Sequence, residues 1–442
     1  MPRANNAHWK QRVMVSTRAL QRKLYRAAKQ SGNRRFHALY DKVCRSDFLA
    51  RAWSAVASKG GAPGVDGVSI EAIRSEGVVD FLRQLQAELR SGSYTPLPVR
   101  RVTIPKRSGG ERHLGVPAVR DRVVQMAVKL VIEPVFEADF LPVSFGFRPK
   151  RSAHQARERV RAGMYQNRWV VDADIKGFFD HLDHGYLMAL VRERISDRRV
   201  LGLIKVWLRS GVMDGETLLH PEAGTPQGGV ISPLLANIYL NHLDTRWQKC
   251  CRRIGQLTRY ADDLVILCRT RRAAMTAMER LRVLLAELKL ELNEDKTRIV
   301  NLHTAREGFD FLGYHLRMVP SRRNRRIVFA ACWPSRSAVA AARERIRALT
   351  PTDRIGLPAI MVVEQVNRFL RGWGAYFRQG NSTRQFHHID TYAFERVAVF
   401  IARKHGARTW KYGMAALLES RTRLGLIRLA GTVRYPSAHA AG

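Results

Sequence analysis

Apolar residues recur every three to four positions through residues 8–30, 38–58, 77–91 and 119–137, and this spacing predicts four helices, the first two with basic polar faces. The period changes at 98–106, where P-V-R-R-V-T-I-P-K alternates basic and apolar residues and reads as a strand, followed by a turn at K-R-S-G-G-E-R, 106–112. R-W-V-V-D-A-D-I at 168–175 reads as a buried strand that ends in a carboxylate. Helices follow near 184–194 and 199–209, and the loop P-Q-G-G-V-I-S-P at 226–233 opens a long helix over 232–248. L-T-R-Y-A-D-D-L-V-I-L-C at 257–268 is β-rich on both sides of a polar centre, which predicts a hairpin. A helix at 271–290 precedes strand candidates at 297–302 and 309–316, and the chain from 336 onward reads as mainly helical. The Gly/Pro loop S-K-G-G-A-P-G-V-D-G at 58–67 lacks the G-K-[ST] of a phosphate-binding P-loop, so ATP binding is not expected there.

Charge changes this picture more than composition does. The 442 residues carry 76 Lys+Arg against 38 Asp+Glu, a net charge of +38. With 45% hydrophobic residues the chain can build packed cores, which excludes a disordered basic tail. No apolar run approaches the length of a membrane span, so no membrane partner is expected. A folded protein with this much self-repulsion calls for a polyanion. The excess is uneven. Residues 1–50 hold twelve basic and two acidic residues, and residues 316–442 hold 23 and six. Two basic flanks, interleaved with aromatics such as Trp9, Tyr25, Trp373 and Tyr376, enclose a centre that keeps most of the acids. The five cysteines are odd in number and show no C-x-x-C spacing, and the N-terminus has no apolar stretch before a cleavage site. A reducing cytoplasm is the expected compartment.

The acids of the centre sit where acids are costly. Asp174 ends an apolar strand, and Asp262 and Asp263 lie at the middle of the apolar hairpin. Carboxylates in such surroundings need a compensating cation. Three of them on two adjacent strands can hold two divalent ions about 4 Å apart, an arrangement that activates an attacking oxygen and stabilises a leaving pyrophosphate. Oxygen donors favour Mg²⁺.

At this point the sequence resembles the reverse transcriptases, and among them the bacterial group II intron-encoded reverse transcriptase/maturases. G-A-P-G-V-D-G (61–67) resembles the family's N-terminal extension motif, I-P-K-R-S-G-G-E-R-H-L-G-V-P (104–117) its fingers, and F-G-F-R-P-K-R-S-A-H-Q-A (145–156) the block between fingers and palm. D-I-K-G-F-F-D (174–180), T-P-Q-G-G-V-I-S-P-L-L-A-N-I-Y-L (225–240), Y-A-D-D (260–263), L-N-E-D-K-T (292–297) and F-L-G-Y (311–314) resemble successive palm motifs. R-F-L-R-G-W-G-A-Y-F-R (368–378) resembles the maturase thumb. Each string is moderately specific, whereas the ordered set is highly specific.

The resemblance implies an α+β right-hand polymerase, with fingers, a palm built on an antiparallel sheet and a mainly helical thumb. It implies a basic extension over 1–85, fingers and palm over 86–316 and a maturase thumb over 317–442. It implies RNA-directed DNA synthesis from dNTPs with two Mg²⁺ ions on Asp174, Asp262 and Asp263. Lys106 and Arg112 would grip the triphosphate, Phe179 would exclude the ribose 2′-OH, and Gln227 would pack near the nascent base pair. Lys296 would lie near the triphosphate as a general acid. Arg368, Arg371 and Arg378 would face RNA, with Trp373 and Phe377 mainly in the core. The implied partners are intron RNA, an RNA template with a DNA primer, target DNA and dNTPs. Many relatives continue into an H-N-H nuclease with paired cysteines; no such cysteines occur here, so no nuclease is expected. A splicing-only maturase, or a related reverse transcriptase acting in phage defence or DNA repair, is the alternative.

Overall fold

The computed structural model describes residues 3–105, 111–214, 217–219, 224, 228–304, 306–321, 323–351, 356–406 and 425–435. Lys106 and Gln227 lie outside the described residues, as does the side chain of Arg112. The chain opens with α1 (Arg3–Gln30), α2 (Tyr40–Val43), α3 (Ser46–Lys59), α4 (Ile70–Glu76) and α5 (Val78–Ser91). The single helix expected over 38–58 is therefore two. Arg45 takes an extended backbone between them, and the buried Asp197 carboxylate accepts from the Leu39 and Tyr40 amides at the start of α2.

The chain continues as β1 (Val99–Pro105), β2 (Glu111–Val116), α6 (Val119–Glu137), α7 (Ala153–Gly163), β3 (Trp169–Asp174), α8 (His184–Arg194), α9 (Arg198–Arg209), β4 (Val212–Asp214), β5 (Thr217–Leu219) and α10 (Ser232–Cys250). Then come β6 (Gln256–Tyr260), β7 (Asp263–Cys268), α11 (Arg271–Glu287), β8 (Arg298–Asn301), β9 (Gly308–Phe311), β10 (Tyr314–Pro320), β11 (Val328–Pro334), α12 (Arg336–Leu349), α13 (Ala359–Phe377) and α14 (Thr383–Lys404). The strand candidate at 309–316 is a hairpin of β9 and β10. Leu312 and Gly313 both take positive φ, 52° and 77°, the pair of left-handed residues that a tight β-turn needs.

Contacts divide the chain into two units, one of residues 1–156, 173–266 and 275–298, the other of 157–172, 267–274 and 299–442. The first unit contains a four-stranded sheet in the order β2-β1-β4-β5. Its β1–β2 ribbon is antiparallel, with Thr103 opposite His113 and Ile104 opposite Arg112. Beside it α6 is buried on nearly every side and packs on α1 and α3. Its burial extends to the polar side chains of Asp121, Arg122 and Gln125, and this makes α6 the axis of the core. The second unit contains the antiparallel sheet β11-β10-β9 and the helices α12, α13 and α14, which pack on one another. Another sheet runs in the order β6-β7-β3-β8. No described helix is long and apolar enough to cross a membrane, and all five cysteines are free thiols.

Candidate active site

The order β6-β7-β3 sets the β7 strand that begins with Asp263 beside the β3 strand that ends with Asp174. Asp174 is held by the loop that follows α11. Its carbonyl accepts from the Asn293 amide (2.8 Å), and its carboxylate accepts from Asn293 Nδ2 and meets Lys296 Nζ, each at 3.3 Å. The Asp174 amide donates to Thr297 Oγ1 at 3.4 Å. L-N-E-D-K-T therefore wraps the end of β3, and Lys296 reaches this acid while staying 60% exposed. Asp262 is half-buried and Asp263 exposed. No group of three His, Cys, Asp or Glu side chains is gathered closely enough to hold a metal ion among the described residues. The donor set is nonetheless all oxygen and lies at strand ends, and its carboxylate already attracts a cation, which suits a hard divalent ion.

The Y-A-D-D turn is held from behind by a buried network. Ala261 takes a left-handed conformation (φ 56°), which costs a residue with a Cβ about 1–2 kcal/mol. Its carbonyl accepts from Arg259 Nη1 at 3.0 Å. Arg259 also donates to Asn237 Oδ1 (3.1 Å) and grips Asp244 with Nε and Nη2, and the side chains of this ion pair are fully buried. Asn237 in turn donates to the Gly146 carbonyl at 2.8 Å. Gly146 lies so close to the turn that a Cβ there would stand 2.4 Å from the Ala261 nitrogen. Two segments far apart in sequence, F-G-F and Y-A-D-D, thus meet backbone to backbone. Phe147 beside them also has positive φ (56°), is half-exposed, and approaches the Tyr260 ring at 6.4 Å. Asn293, Arg259, Asp244, Asn237 and Gly146 were not anticipated. The available signal was Arg259 itself, a cation inside an apolar hairpin that demands a buried acid.

The remaining candidates are placed as follows. Phe178 is buried and Phe179 half-buried, their rings 5.1 Å apart, so within the F-F pair only Phe179 keeps an accessible surface. Arg112 lies on β2 opposite Ile104. Gly228, next to Gln227, has φ 122°, and a Cβ there would meet the Gly115 carbonyl of β2 at 2.5 Å. The backbone at Gly228 therefore lies against the ribbon that carries Arg112. In the second unit Arg368 and Arg371 are exposed on α13 and Arg378 is half-buried after it. Phe377 is buried and Trp373 half-buried, with their rings 4.8 Å apart, in line with their expected core role.

Residues 104–316 match the reverse transcriptase (RNA-dependent DNA polymerase) family, and residues 339–415 match the group II intron maturase-specific domain. Protein YkfC of Escherichia coli (strain K12) is 39% identical over 337 residues, covering 67% of this chain and 87% of that protein. The group II intron-encoded protein LtrA of Lactococcus lactis subsp. cremoris is 35% identical over 236 residues, 52% of this chain and 38% of LtrA. A putative COX1/OXI3 intron 2 protein of Saccharomyces cerevisiae is 33% identical over 199 residues, 44% of this chain and 23% of that protein. The chain belongs to the reverse transcriptases of group II intron type, an RNA-directed DNA polymerase domain followed by a maturase domain.

Proposed function

We propose that the chain extends a DNA primer on an RNA template with dNTPs, using two Mg²⁺ ions, and that it also assists the splicing and mobility of its group II intron RNA. The observation that carries the first half is the adjacency of β7 and β3, which sets Asp263 and Asp174 on neighbouring strands with Asp262 in the turn. Asp174, Asp262 and Asp263 would hold the metal, which when bound supplies charge to activate the primer 3′-oxygen and to stabilise pyrophosphate. The chain's own residues do the rest. The Arg259–Asp244–Asn237 network fixes the turn before substrate arrives, so its orientation is not bought from binding energy. Lys106 and Arg112 neutralise the triphosphate. Phe179 presents its accessible ring to the sugar, and Gln227 lies against the new base pair. Lys296 places its Nζ beside Asp174, from where it can donate to the departing pyrophosphate.

In this reading residues 1–85 form a basic extension, 86–316 the fingers and palm, and 317–442 the thumb. The exposed Arg368 and Arg371, with Arg378, hold intron RNA, and target DNA enters during mobility in the cytoplasm. Primer extension tests the site. Asp262→Ala with Asp263→Ala should lower synthesis at least 10³-fold, as expected for losing groups that act on developing charge, and leave RNA binding intact. Equal synthesis by both proteins would remove the assignment.

A further inference from the structure

A cavity of about 350 Å³ opens within the second unit between the end of β11 and the first turns of α12 and α14. Trp333 comes from β11, Arg336 and Arg343 from α12, and Arg384, Gln385 and His388 from α14. Arg336 and Arg343 are seven apart and Arg384 and His388 four apart, so each pair shares one helix face. The charges are of one sign. No acid is among the residues that line the cavity, and no carboxylate pairs with Arg336, Arg343 or Arg384 among the described residues. The placement is also unfavourable for an empty site. Arg336 is the first residue of α12 and Arg384 the second of α14, and neither first turn has an acid. Cations there add to the positive end of each helix dipole. The α14 terminus has no side-chain cap either, because Ser382 donates its hydroxyl to the Phe377 carbonyl instead. An anion would relieve all three features at once.

Two further groups define what accompanies the anion. Trp333 is half-buried in the wall, braced by His315 at 5.1 Å and by the Arg317 guanidinium at 5.2 Å. Gln385 Oε1 is buried and has no hydrogen-bond donor among the described residues. A phosphate satisfies the arginines but neither of these. A nucleotide satisfies all of them, with its phosphate at the helix ends, its base against the indole and an exocyclic amine on Gln385. The volume is near the lower end for small-ligand sites, ~300–1,000 Å³, which suits one nucleotide and not a base pair.

We propose that this cavity binds a single unstacked nucleotide through Arg336, Arg384, Trp333 and Gln385. It is distinct from the α13 arginines, and it rests on the RNA-binding reading of the second unit when the nucleotide belongs to an RNA strand. The source is an unpaired nucleotide of RNA or a free nucleotide.

The full chain is titrated with a fluorescent single-stranded RNA at several salt concentrations, with and without excess ATP. Arg336→Ala with Arg384→Ala should weaken RNA binding about tenfold, as Lys/Arg contacts to phosphate dominate such affinity, and should flatten the plot of log K against log[salt] by about 0.7 for one phosphate. The double Lys variant should restore the slope. Trp333→Leu should keep the slope and abolish an ultraviolet cross-link from 5-iodouridine RNA to the tryptic peptide holding position 333. Primer extension on a pre-annealed template should stay within twofold and reports that the variants fold. ATP that leaves RNA bound identifies an RNA nucleotide. ATP that binds wild type and is lost with the double Ala variant identifies a free nucleotide. Unchanged RNA affinity, slope, cross-link and ATP binding in folded variants would overturn the site while leaving RNA binding standing. Failure of wild type to bind either ligand would overturn both.

Discussion

Arg259 in the first unit and Arg368 and Arg371 in the second are all arginines beside a proposed function, yet their settings are opposite. Arg259 is wholly buried and spends its donors on Asp244, Asn237 and the Ala261 carbonyl. Arg368 and Arg371 are exposed, and no carboxylate pairs with them among the described residues. A buried charge makes one geometry and resists any other, because every alternative leaves it unpaired in a poor dielectric. An exposed charge adopts many geometries at small cost and contributes mainly through the field it adds. Polymerase chemistry needs its carboxylates in one place, while a large RNA needs only a surface that attracts it. The same side chain serves both because burial decides which property is expressed.

The largest effect should come from breaking the buried pair. Asp244→Ala should cost about 3–5 kcal/mol by leaving Arg259 charged and unpaired, read by urea unfolding, and should lower primer extension even at temperatures where the variant is folded. Replacing both partners, Arg259→Met with Asp244→Leu, should recover most of the stability and little of the activity. Full recovery of activity would show that the network does not position the turn.

A smaller effect lies in pH. Burial pushes the Asp121 carboxyl up to about 6 from 3.8, although it accepts from Tyr94 Oη and the Leu97 amide. The folded state thus holds this proton more tightly than the unfolded chain does. The stability it lends is full below about pH 4 and is lost as pH rises through about 6. At about 1.4 kcal/mol per unit the loss is about 2–3 kcal/mol. Unfolding free energies of wild type and Asp121→Asn should diverge by that amount between pH 4 and 7, with wild type losing ground. Parallel curves would reject the shift.

The smallest effect should be at the exposed arginines. Arg368→Ala with Arg371→Ala should leave the melting temperature nearly unchanged and flatten the salt dependence of RNA affinity by about 0.7–0.9 per lost phosphate contact. A stability loss rivalling that of Asp244→Ala would contradict the contrast.

Much of the fold was legible because periodicity speaks directly of one buried face. The 119–137, 184–194 and Y-A-D-D elements appear as α6, α8 and the β6–β7 hairpin. What escaped was decided elsewhere in the chain. The start of α2 at Tyr40 is fixed by Asp197, more than 150 residues away. The β9–β10 turn depends on Leu312 accepting a positive φ that leucine propensity disfavours. In the site, the three acids stood out because they interrupt apolar strands. Asn237 and Asp244 did not, because on α10 they look like two polar residues of an ordinary helix. Only the fold shows both on the side that meets Arg259.

The close approach of Gly146 to Ala261 also marks an evolutionary hinge. A methyl group at 146 has nowhere to go except into the nitrogen of Ala261 in the Y-A-D-D turn, while α12, α13 and α14 lie in the other unit. One codon change to alanine should therefore act as a wedge that silences DNA synthesis and spares the maturase domain, separating a selfish copying function from a helpful splicing one in a single step.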